Sequence, residues 1–214
     1  MAGGDDEVGD PGSGGGQGAD IPGDSDPVAR LTAWLDEARS GGTAWTQVMV
    51  LATTTAGRPS ARAVALRHMS DGGLVFFSDE NSRKGLELAA NSAAAAVFLL
   101  PSQRRQARVE GRVEQLGDER ADEFFSRRDR SAQLAVWGWR QGEVLKERGE
   151  LSRGLDQARR HFAGRPIPRP RYWRGYVLDP EVVELWEEQP NGFHERDRFV
   201  LRPDGSWRLE LLAP

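Results

Sequence analysis

The chain has no cysteine, which excludes disulfides, thiolate metal sites, iron–sulfur clusters and cysteine nucleophiles. Its three histidines, His68, His161 and His194, lie far apart and show no ligand spacing, so a structural zinc site is not expected. Long apolar runs are missing too. The longest, Ala93 to Leu100, has eight residues and stops at Pro101, whereas a bilayer span needs roughly 20. The N-terminus carries neither the basic nor the apolar segment of a secretory signal. The expectation is a soluble, cytoplasmic protein without a membrane partner.

Basic residues are absent from the first 26 positions, which hold seven acids and nine glycines. Such a segment buries too little surface to offset its backbone entropy, and residues 1–26 are expected to be a disordered tail. The whole chain has 214 residues and a net charge of -4; without the tail, 29 bases face 26 acids. That mild excess suits an anionic small ligand better than a nucleic-acid backbone, and no nucleic-acid partner is expected. Residues 27–214 fit one domain.

Order is expected to begin at Asp26-Pro27, an N-cap followed by a proline suited to the first helical position. Val28, Leu31, Trp34, Leu35 and Ala38 then share one helical face up to Gly41-Gly42. From Trp45 the texture is β-rich: Trp45–Thr54, a turn at Ala56-Gly57-Arg58-Pro59, Ala61–His68, a turn at 70–73, Leu74–Ser78, Ala94–Leu100 and Gln106–Gln115. Helices are predicted at Ser82–Ala90, Asp118–Arg127, Gln133–Trp139 and Glu143–Phe162. Strands return at Trp173–Leu178, Val182–Trp186, Arg198–Leu201 and Trp207–Leu212. Short strands joined mostly by tight turns indicate an antiparallel barrel rather than βαβ units. The class is α+β, a closed or nearly closed β-barrel with peripheral helices.

Three segments bear chemistry. Ser82 is a good N-cap, yet Arg83 and Lys84 follow it, where the helix dipole disfavours cations. An anion bound there accounts for them; a solvated first turn with incidental charge is the other reading. On Arg62–His68, alternation puts Arg62, Val64, Leu66 and His68 on one face and Ala63, Ala65 and Arg67 on the other. Its two arginines either reach one anion from the strand ends or are ordinary surface-edge residues. In Trp186–Arg198, a tryptophan, a glycine-containing loop and His194 either wall a planar ligand or form a loop without a task.

Taken in order, Arg62–Arg67, Val75-Phe76-Phe77-Ser78, Ser82-Arg83-Lys84, Arg105-Gln106, Gln141-Gly142, Trp186, His194-Glu195-Arg196 and Leu212-Ala213-Pro214 resemble the pyridoxamine 5'-phosphate oxidase family. The resemblance runs from about Ala44 to the C-terminus. It implies an antiparallel split β-barrel that binds FMN, as a homodimer with two flavins at the subunit interface. It implies an oxidase that moves a hydride from a substrate carbon to flavin, with O2 as final acceptor. Carried over by motif, FMN contacts fall on Arg62, Ala63, Val64, Leu66, Arg67, Phe77, Ser78, Arg83, Lys84, Gln106, Gln141, Gly142, Trp186 and Arg196. His194, Arg128 and Arg67 are the candidates for substrate chemistry.

The substrate half departs from the family. Its phosphate-binding Lys, Tyr, Arg and Ser read here as Arg67, Phe124, Arg128 and Ala132, which removes two hydroxyl donors. A lost hydrogen bond to a charged group costs roughly 1.5–3 kcal/mol. The family's Arg-x-His-[Asp/Glu]-Arg reads Gly192-Phe193-His194-Glu195-Arg196, so its first arginine is gone. The expected substrate is a reduced aromatic or heterocyclic compound of secondary metabolism. Asp118–Asp122 and Trp34–Arg39 are similar to segments of the phenazine-biosynthesis branch. Two alternatives stand: a pyridoxine/pyridoxamine 5'-phosphate oxidase in which Arg67 and Arg128 suffice, and a non-catalytic flavin-binding barrel.

Overall fold

The computed structural model describes residues 26–41, 48–70, 73–190 and 192–214. The expected tail disorder, the strand start at Trp45 and the middle of the 70–73 turn fall outside the described residues.

Helix α1 (Pro27–Ser40) starts where the sequence placed it. The Asp26 carboxylate accepts from the Val28 N–H at 2.9 Å, and Gly41 closes the last turn. Val28, Leu31, Trp34, Leu35 and Ala38 are all buried in the main core. Strands β1 (Val48–Thr55) and β2 (Arg58–Ala65) form a hairpin. Its turn is only Ala56-Gly57, both at positive φ, as a two-residue hairpin requires. Arg58 and Pro59, expected in the turn, already pair with Thr55 and Thr54. Strand β2 stops at Ala65, and β3 (His68–Ser70) begins after a break, so the expected single strand to His68 is two.

Strand β4 (Gly73–Asp79) leads into helix α2 (Arg83–Ala90), followed by β5 (Ala93–Leu100) and β6 (Arg105–Gln115). Helices α3 (Asp118–Ser126), α4 (Arg130–Gly138) and α5 (Gly149–His161) come next. Helix α5 is shorter than the predicted 143–162. Val144, inside the predicted span, is 94% exposed and outside the helix.

Strand β7 (Trp173–Glu187) is one continuous element where two were expected. Its first half pairs with β4, and its second half with β8 (Glu195–Leu201), which carries β9 (Trp207–Leu211). Strand β6 spans both halves, with a register shift at Glu110/Gly111 facing the Asp179-Pro180 kink. The order is β2-β1-β5-β6-β7-β4-β3, antiparallel throughout. No ladder joins β2 to β3 among the described residues, so the barrel is split rather than closed.

Phe76, Phe98, Met49, Leu51, Leu74 and Leu178 fill the barrel. A second cluster, Phe125, Leu134, Ala158, Phe162, Ile167 and Trp173, packs α3, α4 and α5 against the start of β7. Helices α3 and α4 also line the cleft beside β4. No helix among the described residues is long and apolar enough to cross a membrane.

Candidate functional site

At the β4–α2 junction, Ser82 caps the helix, its Oγ accepting from the Gly85 N–H at 3.3 Å. Lys84 is buried at 7% exposure, and its Nζ donates to Ser78 Oγ at 3.0 Å and Ser82 Oγ at 3.5 Å. No carboxylate among the described residues forms an ion pair with it. Burial, and then the neighbouring Arg62 charge, pull its pKa down. The Asp79 and Glu87 charges offset part of this, but a buried ammonium whose hydrogen bonds go only to hydroxyls still favours an anion beside it.

Arg83 faces out, its Nε donating to Glu87 Oε1 at 2.8 Å. Glu87 is itself buried, and its Oε2 accepts from Thr53 Oγ1 at 2.6 Å and Arg62 NH2 at 2.8 Å. The Thr53 hydroxyl, with the Arg62 and Arg83 guanidiniums, holds the Glu87 pKa down at about 2. Arg62 also donates to Thr53, Ser60 and the Leu51 carbonyl. Among the described residues its Nε is the donor left over.

Along β2, Arg62, Val64 and then Leu66 turn inward, whereas Ala63 and Arg67 are exposed. Val64 and Leu66 belong to the core, and neither lines any of the clefts below. Arg62 and Arg67 keep different company: Arg62 acts on Lys84, and Arg67 on Arg128. His68 lies beyond the strand break and is exposed, off the face expected for it.

A cleft of about 260 Å³ opens beside this junction, lined among others by Arg67, Phe77, Ser78, Arg128, Gln141 and Trp173. A second of about 420 Å³ shares Arg67, Phe77, Arg128, Ala132 and Trp173 with it and adds Phe124. Phe77 stacks on Trp173 with centroids 4.3 Å apart, and Phe124 tilts against Phe77 at 5.1 Å. Arg128 lies over the Trp173 ring, and its buried Nε has no hydrogen-bond partner among the described residues. Burial, then Arg67, depress its pKa. Two cations amid aromatic walls form a receptor for a flat anion.

Gln141 reaches this cleft from the link after α4; its Oε1 accepts from Ser78 Oγ at 3.0 Å and from the Asp79 N–H at 3.3 Å. Gly142 follows at φ 84°. Burial works against the Asp79 charge, but hydrogen bonds from Arg140 and Asn81 outweigh it and keep the carboxyl below its usual range.

Gln106, Trp186 and Arg196 lie elsewhere, around a cleft of about 590 Å³. Gln106 and Trp186 are partners across β6–β7, and Trp186 and Arg196 across β7–β8. Arg196 Nε donates to the buried Glu184 at 2.8 Å. His194 packs on Trp186 at 5.1 Å, and its Nδ1 accepts from the Gln189 N–H at 3.2 Å. The neutral ring therefore carries its proton on Nε2.

The sequence-predicted residues thus fall into two groups: Arg62, Arg67, Phe77, Ser78, Arg83, Lys84, Arg128 and Gln141, and then Gln106, Trp186, His194 and Arg196. Glu87, Asp79, Arg140 and Glu184 were missed. Each is an acid or base without motif spacing, whose partners sit on other elements.

A family model for pyridoxamine 5'-phosphate oxidase matches residues 37–161. One for the pyridoxine 5'-phosphate oxidase C-terminal dimerisation region matches residues 173–214. A pyridoxine/pyridoxamine 5'-phosphate oxidase of Salinibacter ruber is 42% identical over 192 residues, covering 88% of this chain and 89% of that protein. Its counterpart from Rubrobacter xylanophilus is 40% identical over 192 residues, with coverages of 89% and 88%. Among solved structures, PhzG from Burkholderia lata 383, in complex with tetrahydrophenazine-1-carboxylic acid, superposes with a TM-score of 0.84 at 26% identity. The match covers 90% of this chain and 94% of PhzG. A related FMN-binding protein from Nostoc punctiforme shares the fold, with a TM-score of 0.71 at 20% identity and coverages of 87% and 96%. Matched over nearly its whole described length, the chain belongs to the pyridoxamine 5'-phosphate oxidase family of FMN-dependent oxidases.

Proposed function

We propose that this protein oxidises a reduced, anionic aromatic or heterocyclic substrate of secondary metabolism. The observation that carries this is the Arg67–Arg128 cleft. It pairs two guanidiniums with Phe77, Phe124 and Trp173 and has Phe124 and Ala132 where hydroxyl donors would grip a phosphate. A ring carboxylate needs only the guanidinium fork. The ligand of the Burkholderia protein, a reduced tricyclic carboxylic acid, has that chemistry.

The residues at the β4–α2 junction fit FMN. Lys84, Ser82, Ser78 and the first N–H groups of α2 offer buried donors and an unpaired cation to a phosphate ester. Arg83 presents its outer nitrogens from the same turn. When bound, FMN supplies a two-electron acceptor that O2 reoxidises. The chain binds and orients: Phe77 and Trp173 wall the ring, Arg128 and Arg67 hold the substrate anion, and His194 offers an Nε2 proton.

A homodimer unites the two groups of residues. Trp173 lines the first cleft and Trp186 the other, thirteen residues apart on β7. That is up to about 40 Å of strand path, and the two residues line different clefts. The β7–β9 region that matches the dimerisation model carries Trp186, His194 and Arg196, so these residues would complete the partner's site.

A second reading, pyridoxine 5'-phosphate oxidation, is favoured by the names of the relatives near 40% identity. One assay separates the two. Purified, flavin-loaded protein is given pyridoxine 5'-phosphate and, separately, reduced heteroaromatic carboxylates, and peroxide release is followed. Peroxide from the carboxylates with at most slow release from the phosphate ester is expected. Efficient turnover of micromolar pyridoxine 5'-phosphate would reject the proposal for the second reading.

A further inference from the structure

Gln141 sits in the link 139–142 that follows α4, and nothing in that link holds its side chain. Its amide faces β4, where it meets Ser78 Oγ and the Asp79 N–H. A backbone N–H can only donate, so the atom facing β4 is Oε1. Nε2, with two hydrogens, is left for the cleft that Gln141 lines.

The grip on the link comes from the neighbouring residue. Arg140 donates from Nε to Asp79 Oδ2 at 2.7 Å and from NH2 to Asp79 Oδ1 at 3.0 Å, a two-pronged pairing. Its guanidinium also lies 3.5 Å from the centre of the Tyr172 ring. Asp79 is 4% exposed, and its Oδ1 accepts in addition from the Asn81 N–H at 2.8 Å, which orients the carboxylate. Arg140 therefore joins the α4–α5 link to the end of β4 through the Asp79 carboxylate and, through the Tyr172 ring, to the segment before β7.

We infer that Arg140 is a positioning residue for the bound flavin. By latching onto Asp79 and Tyr172 it sets the Gln141 amide with Oε1 towards β4 and Nε2 aimed at an acceptor atom of FMN. This rests on the FMN reading above.

The test is an FMN titration of the cofactor-free full-length protein, read as Kd and as visible circular dichroism of the bound flavin, with melting temperatures alongside. Arg140→Met is expected to weaken FMN binding about tenfold and to alter the dichroism. Arg140→Lys, which keeps a cation on Asp79, should recover part of both. Because Arg140→Met leaves a buried carboxylate unpaired, the double variant Asp79→Asn/Arg140→Met is measured as well. It should melt near the wild type yet keep the weaker Kd and the altered spectrum. Wild-type Kd and dichroism in Arg140→Met or in the double variant would overturn the inference. So would Arg140→Lys behaving no better than Arg140→Met, or affinity that only tracks melting temperature across the series. If the wild type itself takes up no FMN, the flavin reading falls and this inference with it, so the two failures are told apart.

Discussion

Lys84 shows what one side chain costs and returns. Its ammonium is taken out of water, surrounded by Ser78 and Ser82 hydroxyls, and crowded by Arg62. Without a ligand that arrangement is a liability; with a phosphate it becomes a charge-assisted hydrogen bond. Lys84→Met is therefore expected to raise, or at least not lower, the melting temperature of the cofactor-free protein. The same variant should lose about ten- to a hundredfold in FMN affinity, read by quenching of flavin fluorescence. Unchanged affinity would place the phosphate elsewhere. The anomaly behind this was visible in sequence, since two bases open a helix where acids belong. The partners were not: Arg83 and Arg62 share the Glu87 carboxylate, which lies on a different element from Arg62 and Thr53.

Elements were legible where local chemistry alone sets them. The Asp26 cap, the α1 apolar stripe and the Ser82 cap are short-range features and appear in the structure as read. Strand β7 was misread because Asp179-Pro180 looks like a stop. Here the proline falls at the kink where β4 pairing ends and β8 pairing begins, and β6 bridges the interruption. Helix α5 starts at Gly149, six residues after the expected Glu143, and Val144 in the span left outside it is exposed. Helices α4 and α5 meet at glycines: a Cβ on Gly154 would come within 2.0 Å of the Gly138 carbonyl oxygen. Gly154→Ala should therefore force α4 and α5 apart at a cost of about 1–3 kcal/mol, seen as a lower melting temperature. Since α4 supplies Ala132, Ala135 and Val136 to the cleft, substrate KM should rise as well. A variant as stable as the wild type would show that the contact yields freely.

For the whole molecule, the separation of Trp173 from Trp186 along β7 makes a single protomer an incomplete site under the dimer proposal. Co-expression tests it. Protomers carrying Lys84→Ala are mixed with protomers carrying Trp186→Ala, each impaired alone. If sites are shared, a mixed dimer concentrates both defects in one site and leaves the other intact, so about a quarter of all sites recover. No recovery would mean that both groups act within the same chain.

Strand texture and turn chemistry by themselves determined an antiparallel barrel with peripheral helices, and the order of short motifs carried the resemblance to an oxidase family whose barrel is split. Those properties depend on neighbours in the chain or on a fixed sequence of segments. That the barrel is split and not closed was decided by the tertiary structure. Tertiary structure also decided which charges meet. The Glu87 cluster, the Arg140–Asp79 latch and the seat of Arg128 over Trp173 all join residues from distant parts of the chain, and the predicted ligands are divided between separate clefts. Pairing of that kind is set by how the sheet coils and where the helices dock on it, which no local pattern encodes.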